Sequence, residues 1–275
     1  MAVSHFFPYL CTVITNIDNT RWYERLWAAF IFFTRLPFWR LHQPPRQAYD
    51  SVVEYWPLTG WLVGSLMAAV LYFGSMVMPW PVAVLLAIVV RLIVTGALHE
   101  DGLADFFDGF GGGGNNRSRI LEIMKDSHIG TYGVLGLVFY ELLLAAALIS
   151  IPPYYAAVMV LAGDTFSKMI TSQLILMMPY ARNEAEAKAK TVYRKFGVWS
   201  GVSLALQGLP PMLFFIWMMG LDWQVMIFIP ALVFYLLYLL IWRRLQGYTG
   251  DCCGAVCLLV ELSVYLVVSA INCEI

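Results

Sequence analysis

The fold class follows from residues 56–78, WPLTGWLVGSLMAAVLYFGSMVM, a run that contains no charged side chain. A helix needs about 20 consecutive apolar residues to cross a hydrocarbon layer about 30 Å thick. Further apolar runs of comparable length lie at about 82–98, 132–151, 154–178, 198–219, 224–242 and 254–272. The sequence therefore predicts an all-α, polytopic transmembrane helical bundle of about seven spans, with residues 1–275 forming a single domain.

The composition supports this class, since 60% of the residues are hydrophobic and 13% are charged. A soluble domain is nearer half apolar and a quarter charged. The runs do not alternate apolar and polar residues, which argues against a β-barrel. A net charge of -1 gives no indication of a nucleic-acid surface. The five cysteines lack zinc-site spacing and are expected to be packing residues.

The N-terminal segment, residues 1–55, has no complete span. Its apolar stretch from Leu26 to Phe33 is too short to cross a membrane and ends in Thr34-Arg35-Leu36-Pro37. We expect an interfacial or re-entrant helix here. No cleavable signal is evident, because charged residues interrupt the region before this stretch.

The loops indicate the orientation. Connections at 78–81, 151–154 and 220–223 contain no Lys or Arg and alternate with basic loops. The basic residues of those loops are Arg35, Arg40, Arg46, Arg117, Arg119, Lys125, Arg182, Lys188, Lys190, Arg194, Lys195, Arg243 and Arg244. The positive-inside rule places this set in the cytoplasm. An interfacial aromatic belt is expected from Trp56, Trp61, Trp80, Trp199, Trp223 and Trp242.

The most informative polar segment is residues 99–114, HEDGLADFFDGFGGGG. In a helix, Asp101, Asp105 and Asp108 stand at i, i+4 and i+7 and share one face. Three carboxylates on one face repel one another and call for a cation. Oxygen ligands at this spacing suit Mg²⁺ or Mn²⁺, as one ion or two, shared with substrate phosphates. The alternative is a solvated acidic helix end.

Residues 99–131 as a whole are predicted to form a cytoplasmic, acidic and glycine-rich active-site loop. Its glycines at 111–114 are followed by Asn116 and Ser118, either of which suits the cap of a short helix. Lys125, Asp126 and His128 come next, and His128 is a candidate general base or phosphate contact. The glycines match no Walker or dinucleotide-binding fingerprint, and they form either a loop that closes over a phosphate or a hinge.

Charged residues also occur within the predicted spans. Arg91, Asp164, Lys168 and Glu261 are expected to face the bundle interior or a water-filled cavity, because an unpaired charge in a bilayer is costly. Asp164 and Lys168 are spaced i, i+4, so they are either a structural pair or part of a substrate cavity. Asp251, at the start of the last span, is either a helix cap or a fourth acidic ligand.

Five stretches resemble the cobalamin (5′-phosphate) synthase family, also called adenosylcobinamide-GDP ribazoletransferases. They are Phe33–Pro37 (FTRLP), Trp56–Gly60 (WPLTG), Thr95–Gly109, Leu121–Gly133 and Thr249–Asp251. The resemblance implies Mg²⁺-dependent transfer of the adenosylcobinamide phosphate moiety from adenosylcobinamide-GDP to α-ribazole or its 5′-phosphate, releasing GMP. It also implies a bacterial inner-membrane enzyme whose active site faces the cytoplasm, and it leaves a homodimer open.

The resemblance also assigns roles to individual residues. It implies metal ligation by Asp101, Asp105 and Asp108, and Asp251, which matches one of the family's surrounding polar positions, is the candidate fourth metal ligand. Catalytic candidates are Asp105, Asp108, Asp126 and His128, and candidates for binding the nucleotide substrate are His99, Arg117, Lys125 and Lys168. The sequence departs from the family at Lys168, where relatives carry arginine.

Two other classes are weighed against this one. CDP-alcohol phosphotransferases also use a membrane-embedded acidic motif and Mg²⁺, but no Ala-Arg follows Asp101-Gly102 and the three aspartates are spaced more closely. A cation-coupled transporter is the second alternative. Against it, the polar groups lie toward one side of the membrane and no inverted repeat is visible.

Overall fold

The computed structural model describes residues 20–182 and 197–272. Within these ranges the α-helices are α1 Trp22–Phe33, α2 Trp56–Val77, α3 Trp80–Thr95, α4 Leu98–Gly112, α5 Arg117–Ile123, α6 Thr131–Ile149, α7 Pro153–Thr171, α8 Gln173–Met177, α9 Val198–Met219, α10 Trp223–Leu245 and α11 Gly250–Asn272. Two 3₁₀ segments, Phe38–Arg40 and Arg46–Tyr55, connect α1 to α2. The described residues contain one isolated β-bridge, between Tyr180 and Tyr248. The all-α prediction is confirmed.

Some sequence predictions fall outside the described residues. They concern residues 1–19 of the N-terminal segment, the basic residues Lys188, Lys190, Arg194 and Lys195, and the cysteines Cys11 and Cys273. The other cysteines, Cys252, Cys253 and Cys257, are buried in α11 as packing residues.

Among the described residues, 5 helices are long and apolar enough to cross a membrane. They are α2 with the preceding 3₁₀ segment, α6, α9, α10 and α11. The bent pair α3–α4 raises the count to 6 if it is one span. Helix α7 covers much of the predicted run 154–178 but is less hydropathic, because it contains Asp164, Lys168 and several hydroxyl side chains. The chain is thus a polytopic membrane protein, and the count of seven spans stays a prediction.

The chain turns sharply between α3 and α4, and this turn separates the acidic segment from the preceding span. Gly96 (φ 65°) and Ala97 (φ 53°) are both left-handed, and the backbone N–H groups of both donate to the carbonyl of Leu92. Consecutive left-handed residues end a helix, and the axes of α3 and α4 differ by 91°. The acidic residues therefore lie on a helix of their own.

The segment 99–131 is largely helical, which corrects its description as a loop. Helix α4 extends to Gly112, inside the run of glycines, and α5 occupies Arg117–Ile123. Apolar side chains of α4 explain this, since Leu103, Phe106 and Phe110 recur at helical spacing and are buried. The Asn116 side chain accepts a hydrogen bond from the backbone N–H of Arg119, so the predicted cap of α5 is confirmed.

Helix α11 is the buried centre of the bundle. Inside the protein, 72% of its most apolar 18-residue stretch is buried, a larger share than in the other candidate spans. It crosses α4 at two glycines. A Cβ on Gly102 would lie 3.1 Å from the Cα of Asp251, and a Cβ on Gly254 would lie 3.1 Å from the carbonyl oxygen of His99. This close approach brings the start of α11 against the acidic helix.

The charged residues within the bundle form a buried network, as predicted. Arg91 donates to the Glu261 carboxylate (3.0 Å) and to the hydroxyl of Tyr140 (3.0 Å). Its guanidinium also lies 3.5 Å from the Glu100 carboxylate, at the first turn of α4. Arg91 therefore connects α3, α4, α6 and α11 inside the protein.

Candidate active site

Asp101 lies where two depressions meet at the first turn of α4. The first, which we call the aromatic cavity, measures about 270 Å³ and is lined by Phe32, Phe33, Val53, Trp56, Leu98, His99, Asp101, Tyr180, Arg182, Gly250, Asp251, Cys253 and Gly254. The second, the acidic groove, measures about 520 Å³ and is lined by Arg35, Gly96, Ala97, Leu98, Glu100, Asp101, Ala104, Asp105, Ser127, Ile129 and Leu137. Leu98 and Asp101 line both, so a single substrate complex can occupy the two together.

The acidic groove is lined by three carboxylates, those of Glu100, Asp101 and Asp105, and by one guanidinium, that of Arg35. Asp101 and Asp105 face it from successive turns of α4, Asp101 exposed and Asp105 half-buried. Arg35 reaches the groove because its side chain packs over Gly96, where a Cβ would lie 2.3 Å from Nε. Its backbone N–H also donates to the carbonyl of Val94 (2.7 Å). A metal-bound phosphate fits such a combination of anionic and cationic groups.

Asp108 differs from the other two aspartates. It is buried, and its carboxylate accepts hydrogen bonds from the backbone N–H groups of Gly130 (2.7 Å) and Gly133 (2.8 Å). These are the first N–H groups of α6, which have no partner within their own helix. Asp108 thus joins α4 to the start of α6, a role that its spacing in the sequence did not reveal. Its predicted metal and catalytic roles stay predictions.

Asp108→Ala is expected to lower the free energy of unfolding by about 2 kcal/mol, because two helix-terminal N–H groups lose an ionised acceptor. Thermal unfolding in detergent measures the effect. Gly130→Ala provides the partner variant, since its Cβ would lie 2.5 Å from an Asp108 carboxylate oxygen. Gly130→Ala should lower the free energy of unfolding less in the Asp108→Ala background than in the wild-type protein. Equal costs in the two backgrounds would contradict the contact.

The aromatic cavity has a wall of three nearly parallel rings. The ring centres of Phe33 and Trp56 are 5.1 Å apart, those of Trp56 and His99 5.7 Å, and those of Phe33 and His99 6.2 Å. Trp56 is buried here, so its predicted place in the interfacial belt is wrong: packing against α1 and α4 outweighs its position near a span end. His99, predicted to bind the nucleotide substrate, is buried in the same wall.

Asp251 and Arg182 also line this cavity, and they lie close to each other. A guanidinium nitrogen of Arg182 lies 3.7 Å from the Asp251 carboxylate and 3.4 Å from the carbonyl of Leu121. The structure therefore brings Asp251 to the cavity that Asp101 lines, although the two residues are far apart in the sequence. Neither Arg182 nor Arg35 was singled out from the sequence as a site residue. Arg35 could have been identified from the sequence, because it lies in the FTRLP stretch that resembles the family.

The other predicted site residues lie apart from the two depressions. Arg117 donates to the carbonyls of Leu245 and Ala181 (both 2.7 Å), so its guanidinium holds α5 against the end of α10. Lys168 is buried and paired with Asp164 on α7, and Lys125 is exposed. Neither lysine lines the aromatic cavity or the acidic groove.

Asp126 and His128 form an exposed pair between α5 and α6. The Asp126 carboxylate lies 2.7 Å from Nδ1 of His128 and accepts from the backbone N–H of His128 (3.0 Å). These contacts lower the pKa of the Asp126 carboxyl, the His128 side chain contributing most. Ser127 and Ile129, on either side of His128, line the acidic groove. The pair therefore borders the groove.

The donors of the groove suit a hard divalent cation that the substrate completes. Within residues 20–182 and 197–272, no three His, Cys, Asp or Glu side chains form a ready-made metal cluster. Mg²⁺, however, is commonly held by one or two carboxylates, water and substrate phosphates. Asp101 and Asp105 fit that kind of site, whereas a closed cage of protein ligands is not present among the described residues.

Comparison with known proteins identifies the family of this chain. The profile of "Cobalamin-5-phosphate synthase" matches residues 25–269. The chain belongs to the cobalamin-5-phosphate synthase family. Membership makes it an enzyme of the transferase class in cobalamin synthesis. The matched region contains the wall of Phe33, Trp56 and His99, the acidic helix α4 and Asp251.

Curated relatives of this family cover almost the whole chain. An adenosylcobinamide-GDP ribazoletransferase of Shewanella frigidimarina is 35% identical over 260 residues, which are 92% of this chain and 97% of that protein. One of Leptospira interrogans is 31% identical over 254 residues, 89% of this chain and 94% of that protein. No solved structure matches the chain.

Proposed function

We propose that this enzyme transfers the adenosylcobinamide phosphate moiety of adenosylcobinamide-GDP to a ribose hydroxyl of α-ribazole or α-ribazole 5′-phosphate. The phosphorus–oxygen bond to GMP breaks, a bond to the ribose oxygen forms, and the hydroxyl proton is released. The product is adenosylcobalamin or its 5′-phosphate. The observation that carries the proposal is the family match over residues 25–269, within which Asp101 lies between an acidic groove and an aromatic cavity.

The acidic groove is the proposed position of the pyrophosphate. Asp101 and Asp105 would hold Mg²⁺, or Mn²⁺ in its place, which would supply positive charge to the phosphates of the substrate. Arg35 adds a fixed positive charge at the same groove. Phosphoryl transfer depends mainly on such positioning and charge neutralisation, so these three side chains are the proposed core of the site.

His128 is the proposed acceptor of the ribose proton, with a groove carboxylate as the alternative. Because the ionised Asp126 carboxylate can only accept a hydrogen bond, Nδ1 of His128 is the donor in their contact. In the neutral ring this leaves Nε2 as a proton acceptor. The groove is lined by Ser127 and Ile129, the sequence neighbours of His128. His128 therefore belongs to a segment that borders the proposed position of the phosphates.

The proposed setting is the cytoplasmic membrane of a bacterium, with the acidic groove facing the cytoplasm. Support comes from the loops, in which basic and uncharged connections alternate along the chain. The basic connections include α5 and the end of α10, and the positive-inside rule places them in the cytoplasm. Nucleotide-activated substrates are present in that compartment.

The test is release of GMP by purified protein in detergent, supplied with adenosylcobinamide-GDP, α-ribazole and Mg²⁺. GMP formation that requires both substrates is the expected result. Absence of GMP together with CMP release from a CDP-alcohol would replace the proposal by a CDP-alcohol phosphotransferase. Release of neither nucleotide would favour a transporter.

Chelation tests the metal separately from the reaction. EDTA is expected to reduce GMP release to background, and added Mg²⁺ should restore it, because two adjacent carboxylates and a pyrophosphate repel each other without a cation. Full activity in EDTA would remove the metal from the proposal while leaving the transfer reaction in place.

A further inference from the structure

Two residues that line the aromatic cavity carry a ring nitrogen with no partner among the described residues. Nε1 of Trp56 and Nε2 of His99 are buried and make no hydrogen bond to any described residue. Trp56 is 2% exposed and His99 is 4% exposed. A buried polar atom without a partner is unfavourable, so these atoms call for a ligand that offers polar groups in the plane of a ring.

The size and the lining of the cavity narrow the chemistry of that ligand. About 270 Å³ is slightly smaller than the pockets of roughly 300 to 1,000 Å³ that hold drug-sized molecules, so a corrin ring is too large for it. A lipid chain would leave both ring nitrogens unpartnered. A nucleoside base offers flat faces to the aromatic wall and polar atoms at its edge.

The position of the cavity agrees with such a ligand. Asp101 lines both the aromatic cavity and the acidic groove, so one carboxylate separates the place for a ring from the place for phosphates. A nucleotide has the same layout, with a ribose between base and phosphate, and a nucleoside whose ribose hydroxyl attacks a phosphate would be placed in the same way. Arg182 and Asp251, which line the same cavity, offer further charged partners to the edge of a base.

We propose that the aromatic cavity binds the aromatic base of a nucleoside substrate, packed on the wall of Phe33, Trp56 and His99. This inference rests on the proposed function, which supplies two sources of such a base. One is the guanine of the nucleotide that leaves as GMP, and the other is the base of α-ribazole. The experiment distinguishes them.

Gly250 is the residue through which the cavity can be filled without disturbing the bundle. It lies in the lining, its backbone is not left-handed, and a Cβ on it would meet no atom within 4 Å. Gly250→Val is expected to lower the affinity for the bound compound roughly tenfold or more, because its methyl groups occupy ligand space. Gly201→Val is the matched control, since Gly201 is also helical, has no atom within 4 Å of its Cβ position and lies outside the cavity.

Trp56→Phe tests the unpartnered nitrogen. It keeps a six-membered aromatic ring in the wall and removes the five-membered part of the indole with its N–H, which forms no hydrogen bond to any described residue. We expect the affinity to fall roughly threefold to tenfold for the same compound that Gly250→Val affects.

Isothermal titration calorimetry with GMP and with α-ribazole, each added alone to the purified full-length protein, decides the matter. Loss of affinity for one compound in Gly250→Val, with the other unchanged and Gly201→Val like wild type, supports the subsite and identifies its base. Unchanged affinity for both compounds overturns it, and so does an equal loss for both. Wild-type protein that binds neither compound also overturns the subsite.

Failure of the proposed function is recognised separately. GMP release that proceeds while Gly250→Val binds both compounds normally removes the subsite and keeps the transfer reaction. Selective loss of one compound in Gly250→Val, in a protein that releases no GMP from adenosylcobinamide-GDP, keeps the subsite and removes the transfer reaction.

Discussion

Asp101→Asn is expected to lower the rate of GMP release by about a thousandfold while leaving the protein folded. The substitution keeps the size of the side chain and removes its negative charge from the point where the acidic groove and the aromatic cavity meet. Loss of one group that stabilises transition-state charge typically costs a factor of 10² to 10³, and weaker metal binding adds to it. Asp101 is exposed, so its loss leaves no buried group unsatisfied.

The matched control is Asp222→Asn. Asp222 is also exposed and caps α10 by accepting from the backbone N–H of Gln224, a role that asparagine fills equally well. Steady-state GMP release and thermal unfolding are measured for both variants, with Asp105→Ala expected to behave like Asp101→Asn. Wild-type rates in Asp101→Asn would exclude this carboxylate from the proposed metal site.

Arg91→Met is expected to destabilise the protein by about 3 to 5 kcal/mol, because removal of one partner leaves a buried charge uncompensated. Arg91 donates to Glu261 and Tyr140 and lies close to Glu100. Glu261 is 1% exposed, so its carboxylate is buried. GMP release should fall as well, since Glu100 belongs to the first turn of the acidic helix.

The double variant Arg91→Met/Glu261→Met provides the test of pairing. When both charges are replaced by apolar side chains of similar volume, the loss of stability is expected to be smaller than the sum for the two single variants, and the remaining loss comes from Glu100, which no longer contacts Arg91. Thermal unfolding in detergent compares the two single variants with the double variant. Costs that simply add would show that Arg91 and Glu261 act independently.

Local rules account for much of the fold. The apolar runs predicted the long helices, because a span of that length has to be helical for its backbone groups to be satisfied in a membrane. The break at Gly96 and Ala97 was missed. Alanine is an ordinary helix residue, so the left-handed backbone of Ala97, next to the Gly96 over which Arg35 packs, could not be predicted from residue type.

The candidate site was predicted in part. Residue spacing placed Asp101, Asp105 and Asp108 on one helix, which the structure has, but spacing along a helix does not show what each side chain contacts. Asp108 contacts the start of α6, while Asp101 and Asp105 face the groove. The wall of Phe33, Trp56 and His99 was not anticipated, because it joins three segments that packing alone brings together.

The sequence by itself determined that this is an all-α membrane protein with a carboxylate-rich segment, and its motifs indicated the family. Both properties depend on residue type and short-range spacing. Only the tertiary structure decided which carboxylates face a groove, that Asp251 and Arg182 join them, and that Trp56 lines a cavity instead of a membrane interface. These facts depend on how closely α4 and α11 approach at Gly102 and Gly254, and such contacts between distant segments are set by packing over the whole bundle.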